Sequence, residues 1–351
     1  MAKENNFKST VTEIARLAGV SIGTVDRVLH NRPDVSKETR EKVLKIAKKI
    51  NYEPNLIARS LAKGRDYLFC AIIPFSEGSS PYWELPLIGM KRAADELKHY
   101  KVSVRFYFYH QGSTSSFQES LEEAKGVGAA GFIITPDDET VTLDFIEQIY
   151  KQEIPIVTID RHIEKAKYLS TVCQDNRHSG YTAARLIQYI TPESSDIIMV
   201  TMFDTNTSRL LPDKRCQGFM DFFNERKETK RSVSYFNANP QSDSNLLELH
   251  DRLAKDNNIK GIFVPHSRAY YLIKISKIIK QNQIAVIGYD IIKPNIEGLN
   301  KDIIRFLIGQ RPEEQGYRAV MTLFGHLIKG ETVDMLQYVP IDIFTKDNIM
   351  L

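Results

Sequence analysis

The first part of the chain contains three short segments in which apolar residues recur at helical spacing. The apolar positions are Ile14, Leu17 and Ala18 in the first segment, Val25, Val28 and Leu29 in the second, and Val43, Leu44, Ala47 and Ile50 in the third. Gly19 supplies a tight turn between the first two helices, and Pro33 closes a loop before the third. Because a helix of this length is barely stable alone in water, we expect all three to share one small core.

The first two segments have the signals of a helix-turn-helix. Thr10 and Glu13 form a capping box, and Ser21 can cap the second helix. In such a motif the second helix inserts its N-terminal residues into the major groove. Arg27 can donate twice to a guanine, and Ile22 can touch a thymine methyl. The predicted DNA-contacting residues here are Thr10, Ser21, Ile22, Gly23, Thr24, Asp26, Arg27 and Asn31, of which Ser21, Thr24 and Asn31 suit phosphate oxygens. The alternative is an ordinary helical hairpin.

The stretch "NYEPNLIARSLAKGR", residues 51–65, follows the third helix. Pro54 ends that helix, and residues 55–62 predict a helix too short to form alone. It would form only against DNA or against its copy in a dimer. Leu61 would be exposed on such a helix, like the apolar wedges that separate base steps in the minor groove. A flexible tether is the alternative.

From Tyr67 onward, apolar runs alternate with stretches of helical length. The runs are "YLFCAIIP", "VSVRFYFY", "GFIITP", "IPIVTID", "DIIMVT", "SVSYF", "KGIFVP" and "IAVIGYD", with helices expected at about 83–99, 115–126, 139–152, 176–190, 214–227, 241–257 and 268–282. This alternation predicts an α/β architecture with parallel sheets. The residues from Tyr67 onward are too many for one compact core, so we expect two lobes. The expected division is 1–54 for the helical domain, 55–65 for hinge helix and linker, and 66–351 for the body, with lobe 1 at about 66–174 and 311–338 and lobe 2 at about 175–310 and 339–351.

Polar residues follow several of the predicted strands, where ligands of open α/β sheets bind. The candidates are Asp160 and Arg161 of "TIDR", Asn176 of "QDN", Asp290 of "GYD" and Gln310 of "IGQ", together with Arg215 at a helix start. Carboxylates and the forked guanidinium suit vicinal hydroxyls of a sugar. Tyr82 and Trp83 can cover the C–H face of such a ring. For any one of these residues, a loop salt bridge or helix cap is the alternative.

The charge is unevenly distributed along the 351 residues. Residues 1–65 hold 14 Lys and Arg against 7 Asp and Glu, whereas the remainder holds 33 against 37. A basic head on a mildly acidic body points to a polyanionic partner for the head. With no apolar run of membrane-spanning length and no apolar signal core, we expect a cytoplasmic protein that neither spans a membrane nor is exported.

No pattern in the sequence indicates a cofactor or a metal. Three scattered cysteines are expected to be free thiols, and the histidines show no ligand spacing. The glycines of "GVGAAG" match a dinucleotide fingerprint in letters, but a helix precedes them and a strand follows, the reverse of that fingerprint's context. We therefore predict no cofactor, no metal and no enzymatic activity.

The segments "TVTEIARLAGVSIGTVDRVLHN", "VSKETREKV" and "NYEPNLIARSLA" resemble the LacI family of bacterial transcription regulators. The resemblance implies a homodimer on a palindromic operator, with the second helix in the major groove. It also implies that a hinge helix places Leu61, with Asn55 and Ala58 alongside, in the minor groove. Asp26 departs from the family's usual small hydroxyl residue. Its carboxylate would repel phosphates unless it pairs with Arg27 or accepts from a cytosine amine.

The body resembles periplasmic sugar-binding proteins of the ribose-binding type, which that family shares. The resemblance implies that Asp160, Arg161, Arg215, Asp290 and Gln310 contact the ligand, and that Asn176 opens the first crossover between lobes. A second departure is His266, with Ser267, where the family often has Asn-Asp; it favours a different hydroxyl pattern. Two arginines and a histidine are also compatible with an acidic sugar or a sugar phosphate as the ligand.

The prediction is a ligand-responsive, sequence-specific DNA-binding regulator of carbohydrate-related genes, with repression the expected activity. A sugar or sugar derivative between the lobes would shift the population of lobe arrangements and so the spacing of the hinge segments. Whether the ligand releases DNA or promotes binding stays open, and a protein effector is a further option. The alternatives are a transport solute-binding protein, which has no use for residues 1–65, and a sugar-processing enzyme.

Overall fold

The computed structural model describes residues 11–29, 32–50, 52, 66–76, 81–202, 214–226, 231–238 and 243–349. The chain divides into two compact units, Met1–Lys63 and Gly64–Leu351. Each is a separate body with its own core.

The first unit is a bundle of three helices: α1 (Val11–Ala18), α2 (Ile22–Leu29) and α3 (Lys37–Lys49). Their shared core consists of Ile14, Ala15, Ala18, Val25, Val28, Val43 and Ala47. Leu17 and Leu44, expected in the apolar stripes, are instead 42% and 47% exposed. Each lies at the edge of its helix's buried face, because alanines take the positions that point inward.

The second unit contains two six-stranded sheets, as the strand–helix alternation predicted. The first sheet has the order β11-β5-β4-β3-β1-β2, and all its strands are parallel. Its strands are β1 (Tyr67–Pro74), β2 (Val102–Tyr109), β3 (Gly131–Ile134), β4 (Ile156–Ile159), β5 (Ser170–Gln174) and β11 (Leu336–Val339). Its helices are α4 (Glu84–Leu97), α5 (Thr114–Lys125), α6 (Glu139–Tyr150) and α12 (Pro312–Phe324). Together they form lobe 1.

The second sheet has the order β12-β10-β9-β8-β6-β7, in which only β12 runs antiparallel to its neighbour. Its strands are β6 (Asp196–Thr201), β7 (Val233–Asn237), β8 (Ile259–Phe263), β9 (Ala285–Tyr289), β10 (Phe306–Gly309) and β12 (Asp342–Phe344). Its helices are α7 (Asn176–Ile190), α8 (Lys214–Asn224), α9 (Asp243–Lys255), α10 (Ser276–Gln281) and α11 (Lys293–Asn300). Together they form lobe 2. The eight apolar runs are all strands, which confirms the predicted fold class.

The chain crosses between the lobes three times: from β5 to α7, from β10 to α12, and from β11 to β12. The side chain of Gln174 ties these crossings together, because its Nε2 donates to the carbonyls of Gly309 at 2.8 Å and Pro340 at 3.3 Å. Arg311, at the second crossing, pairs with Asp342 at the third through two nitrogens, at 2.7 and 3.0 Å.

Candidate DNA interface and ligand cleft

The second helix of the bundle presents the features of a recognition helix. Ser21 caps α2 as predicted, since its Oγ accepts from the N–H of Thr24 at 3.1 Å. Val25 and Val28 face the core, while Ser21, Gly23 and Arg27 are exposed and Ile22 is 53% exposed. Exposed polar groups at a helix N-terminus are what base and phosphate contacts require. Five predicted DNA contacts lie outside the described residues: Thr10, Asn31, Asn55, Ala58 and Leu61.

Asp26 has an ion-pair partner that the sequence did not suggest. Its Oδ2 lies 3.4 Å from NH1 of Arg32, which lies between α2 and α3. The suggested contacts of Asp26 with Arg27 or with a cytosine amine stay predictions. The N–H of Arg32 donates to the carbonyl of Arg27 at 2.8 Å, which keeps Arg32 close to the end of α2, whereas the Arg27 side chain is exposed.

The carboxyl ends of the strands in both lobes converge on one cleft. On the lobe 1 side, Asp160 follows β4 in the left-handed region at a φ of 68°. Tyr82 and Trp83 are each 5% exposed and pack edge to face at 4.8 Å between ring centroids. Burial, with the nearby carboxylates of Asp160 and Asp290, raises the pKa of the Tyr82 hydroxyl well above its usual value. Since Asp290 belongs to lobe 2, the two walls approach closely at Tyr82.

Arg215, in the first turn of α8, joins several parts of the cleft. Its Nε donates to Asn176 Oδ1 at 2.9 Å, NH1 to the Pro265 carbonyl at 3.0 Å and NH2 to Gln310 Oε1 at 2.5 Å. The guanidinium also lies 4.5 Å from the ring centroid of Tyr289. A guanidinium only 7% exposed needs such partners, because an unpaired buried charge is strongly unfavourable.

Asp290, after β9, is held at the bottom of the cleft. It is 2% exposed, and Nε2 of Gln310 donates to its two carboxyl oxygens at 2.9 and 3.1 Å. Burial raises the pKa of Asp290 to about 7, although Arg215 and Gln310 oppose the shift. Near neutral pH this carboxyl can therefore either accept or donate a hydrogen bond to a ligand hydroxyl.

Asn176 and Gln315 connect the cleft to the crossings. Besides accepting from Arg215, Asn176 places its Nδ2 3.4 Å from the Asp160 carbonyl. Gln315 accepts from the N–H of Asp160 at 3.0 Å and donates to the carbonyl of Gln310 at 2.8 Å. The side chain of Gln315 thus hydrogen-bonds to the backbone on both sides of the cleft. Asp175, one residue before Asn176, caps α7 by accepting from the N–H of His178 at 3.0 Å.

His266 is half-buried, and its Nε2 accepts from the N–H of Met202 at 2.9 Å. Burial, Arg268 and Arg215 lower the pKa of His266 to about 3, so the ring is neutral near pH 7, and its Nδ1 lies 3.3 Å from the backbone nitrogen of Arg268. NH1 of Arg268 donates to the Met202 carbonyl at 2.7 Å. The two side chains thus hold the end of β6, and both ring nitrogens of His266 already face backbone N–H groups.

Two residues of the cleft region were missed by the sequence reasoning. Asp137, after β3, is 4% exposed and accepts from the N–H of Gly112 at 2.7 Å, and burial raises its pKa while Arg161 opposes the shift. The buried hydroxyl of Thr135 has no hydrogen-bond partner within the described residues. The signal was present, since "GFIITPDD" places polar residues directly after a buried strand, as "IPIVTIDR" does.

Within the described ranges, His, Cys, Asp and Glu nowhere gather in threes suited to a metal ion. Among the same residues, no helix has the length and apolar character needed to cross a membrane. Cys70, Cys173 and Cys216 are buried and free.

Fold and site together define a two-part protein: a helix-turn-helix domain followed by a two-lobed domain with a ligand cleft. Residues 10–55 match the family model of bacterial regulatory proteins of the lacI family, and residues 70–332 match a periplasmic binding protein domain. The chain belongs to the periplasmic binding protein domain family through its body, and it carries a DNA-binding region of the lacI family at residues 10–55.

Named relatives agree with this assignment. The ribose operon repressor of Lactococcus lactis is 27% identical over 80% of this chain and 81% of its own length. The transcriptional regulator MalR of Streptococcus pneumoniae is 25% identical over 67% of this chain and 74% of its own. These relatives are named as regulators and not as enzymes.

Solved structures share the fold of the body. A LacI-type protein of Bacteroides fragilis superposes with a TM-score of 0.73 at 25% identity, covering 81% of this chain and 98% of its own. The glucose-galactose binding protein GanP of Geobacillus stearothermophilus gives a TM-score of 0.67 at 22% identity, covering 82% of this chain and all of its own. At that identity GanP supports the fold alone.

Proposed function

We propose that this protein is a ligand-responsive repressor of carbohydrate-related genes that works in the cytoplasm on a palindromic operator. The observation that carries the proposal is the linked set Arg215, Gln310 and Asp290, which joins a guanidinium to a buried carboxyl at the carboxyl end of the lobe 2 sheet. Asp160 and Tyr82 face this set from the other lobe. Such an arrangement suits a small molecule rich in hydroxyls.

We favour an uncharged sugar over an acidic one. Asp137, Asp160 and Asp290 all border the cleft, and each would repel an anionic ligand. The guanidinium of Arg215 already donates to three protein acceptors, so it is committed to positioning Gln310 and Asn176. The ribose operon repressor among the relatives supports the same class of ligand.

Dimer formation is part of the proposal, because a palindromic operator needs two copies of α2. The edge strand β2 offers a surface for it: Phe108 is 36% exposed and stacks on Phe75 at 5.3 Å and on Phe106 at 6.4 Å. An aromatic row on an exposed sheet edge is a surface that proteins normally cover. Ligand-driven movement of the lobes would then change the spacing of the two DNA-binding heads.

The test is selection of bound duplexes from a random pool by the full-length protein, repeated with D-ribose, D-glucose and D-galactose. We expect one palindromic sequence to be enriched and one sugar to change its affinity by about 5- to 150-fold, the usual range of such coupling. Failure to enrich any sequence at moderate salt would overturn the DNA-binding proposal. Recovery of chemically changed sugar would instead favour a sugar-processing enzyme.

A further inference from the structure

The recognition helix carries a carboxylate that is unexpected on a surface meant for DNA. Asp26 lies between buried Val25 and exposed Arg27, and its side chain is 46% exposed. A carboxylate so placed repels phosphates unless a cation compensates its charge or it accepts a hydrogen bond from a base. Its ion pair with Arg32 offers the compensation.

The backbone of Arg32 is fixed on two sides. Its N–H donates to the carbonyl of Arg27 at 2.8 Å, and its carbonyl accepts from NH2 of Arg40, on α3, at 2.6 Å. Asp34, two residues later, turns the chain through the left-handed region at a φ of 74°. With the backbone held between α2 and α3, the pairing with Asp26 also fixes the direction of the guanidinium.

A second effect places the Asp26 carboxylate among protein groups. Burial and the charge of Asp26 raise the pKa of Tyr52, which follows α3 and donates its N–H to the Ala47 carbonyl at 2.9 Å. The carboxylate is thus close to Arg32, which precedes α3, and to Tyr52, which follows α3 by three residues. Arg32 and Tyr52 both lie outside α2, so the carboxylate has protein neighbours in two other segments, whereas Ile22 and Arg27 are exposed residues of α2 itself.

We propose that Asp26 is a positioning residue that contacts no base and acts on DNA through Arg32, whose guanidinium it holds beside α2 for a backbone phosphate. Base reading within α2 then belongs to Arg27 and Ile22. This inference rests on the proposed DNA-binding function.

The experiment compares full-length wild type with Asp26→Asn, Arg32→Gln and the double variant. Glu41→Gln, an exposed acid on α3, is the control for the same change of charge. Duplexes are selected from a random pool, and affinities for the selected and a scrambled duplex are measured by anisotropy between 50 and 200 mM salt. Thermal unfolding is followed in parallel, because an exposed ion pair should contribute little to stability.

We expect Asp26→Asn to select the same sequence as wild type. Arg32→Gln should lower the affinity for the selected and the scrambled duplex alike, by about 3- to 10-fold. It should also reduce the slope of log affinity against log salt concentration by about one, as for a lost phosphate contact. The double variant should match Arg32→Gln, because Asp26 acts only through Arg32. Arg32→Lys should keep the salt slope.

Three results would overturn the inference. The first is a changed base preference in Asp26→Asn, and the second is a loss of duplex affinity in the double variant that equals the sum of the two single losses. The third is a change of duplex affinity in Glu41→Gln as large as the change in Asp26→Asn. If wild type itself enriches no sequence, the DNA-binding function fails and the inference falls with it. The wild-type arm therefore separates the two failures.

Discussion

Replacing Gly180 by alanine should weaken effector binding far more than it weakens the fold. Helices α7 and α8 cross at this glycine, and a Cβ there would lie 2.6 Å from the carbonyl carbon of Arg215 and 2.8 Å from its Cα. Real Cβ contacts are almost never below 3.0 Å. Because both positions belong to backbone, the helices themselves must separate, by about 1 Å in a close-packed interior.

The displaced residue is the one that organises the cleft. Arg215 makes hydrogen bonds of 2.5 to 3.0 Å to Gln310, Asn176 and Pro265, and a shift of about 1 Å stretches each toward or beyond its limit. A hydrogen bond to a charged group is worth about 1.5–3 kcal/mol, so the loss of one predicts a roughly 10- to 100-fold weaker effector affinity. Overpacking costs about 1–3 kcal/mol of stability.

The assay is calorimetric titration of the sugar identified in the selection experiment, with thermal unfolding and operator affinity measured on the same samples. Gly298→Ala is the matched control in lobe 2, since the nearest atoms to its Cβ would be side-chain carbons of Ile304, from 2.8 Å, and of Ile273, at 3.4 Å, which can move. The reasoning is refuted if Gly180→Ala binds the sugar like wild type, or if both variants lose affinity equally.

Three further predictions use the charged and aromatic groups. The pKa of Asp290 in the folded state, about 7, exceeds the ordinary value of 3.8. The free energy of unfolding should therefore fall as the pH rises from about 4 to 7, by up to about 4 kcal/mol. Asp290→Asn should remove this fall in denaturant titrations. Glu164, in lobe 1, pairs with Lys214, in lobe 2, so Glu164→Gln should weaken sugar binding about 2- to 5-fold at low salt and not at 1 M salt in calorimetry. Phe108→Asp should convert dimer to monomer by light scattering, whereas Tyr235→Asp, on the edge strand β7 of lobe 2, should not.

The fold was predictable because buried parallel strands are nearly continuous apolar runs. The runs expected as strands are all strands, and the helix expected at 176–190 is Asn176–Ile190. Helix α12 was missed although Pro312 and two glutamates open it, which is an ordinary N-terminal signal. Strand β12 left no such signal, because it is short, half-exposed and defined only by its antiparallel pairing with β10.

The positions of the site residues were predictable, but their partners were not. A polar residue after a buried strand marks the sheet edge, and that rule found Asp160, Asp290 and Gln310. The rule does not reveal that Gln310 bridges Arg215 and Asp290, since these three lie on separate segments. For the same reason the sequence suggested only Arg27 or a cytosine amine as a partner of Asp26, and it did not point to Arg32.

The two lobes repeat one construction, and this repetition explains how a ligand in the cleft can move whole lobes. In lobe 1, α4 and α12 cross at Gly89 and Gly316 as closely as α7 and α8 cross in lobe 2. Helix α12 carries Gln315, which binds backbone on both sides of the cleft, and α8 carries Arg215, which binds Asn176, Pro265 and Gln310. Gln315 and Arg215 are therefore each mounted on a helix that cannot shift without its partner helix. A change at the cleft must then be transmitted as movement of packed helices about the three crossings, and not absorbed by a loop.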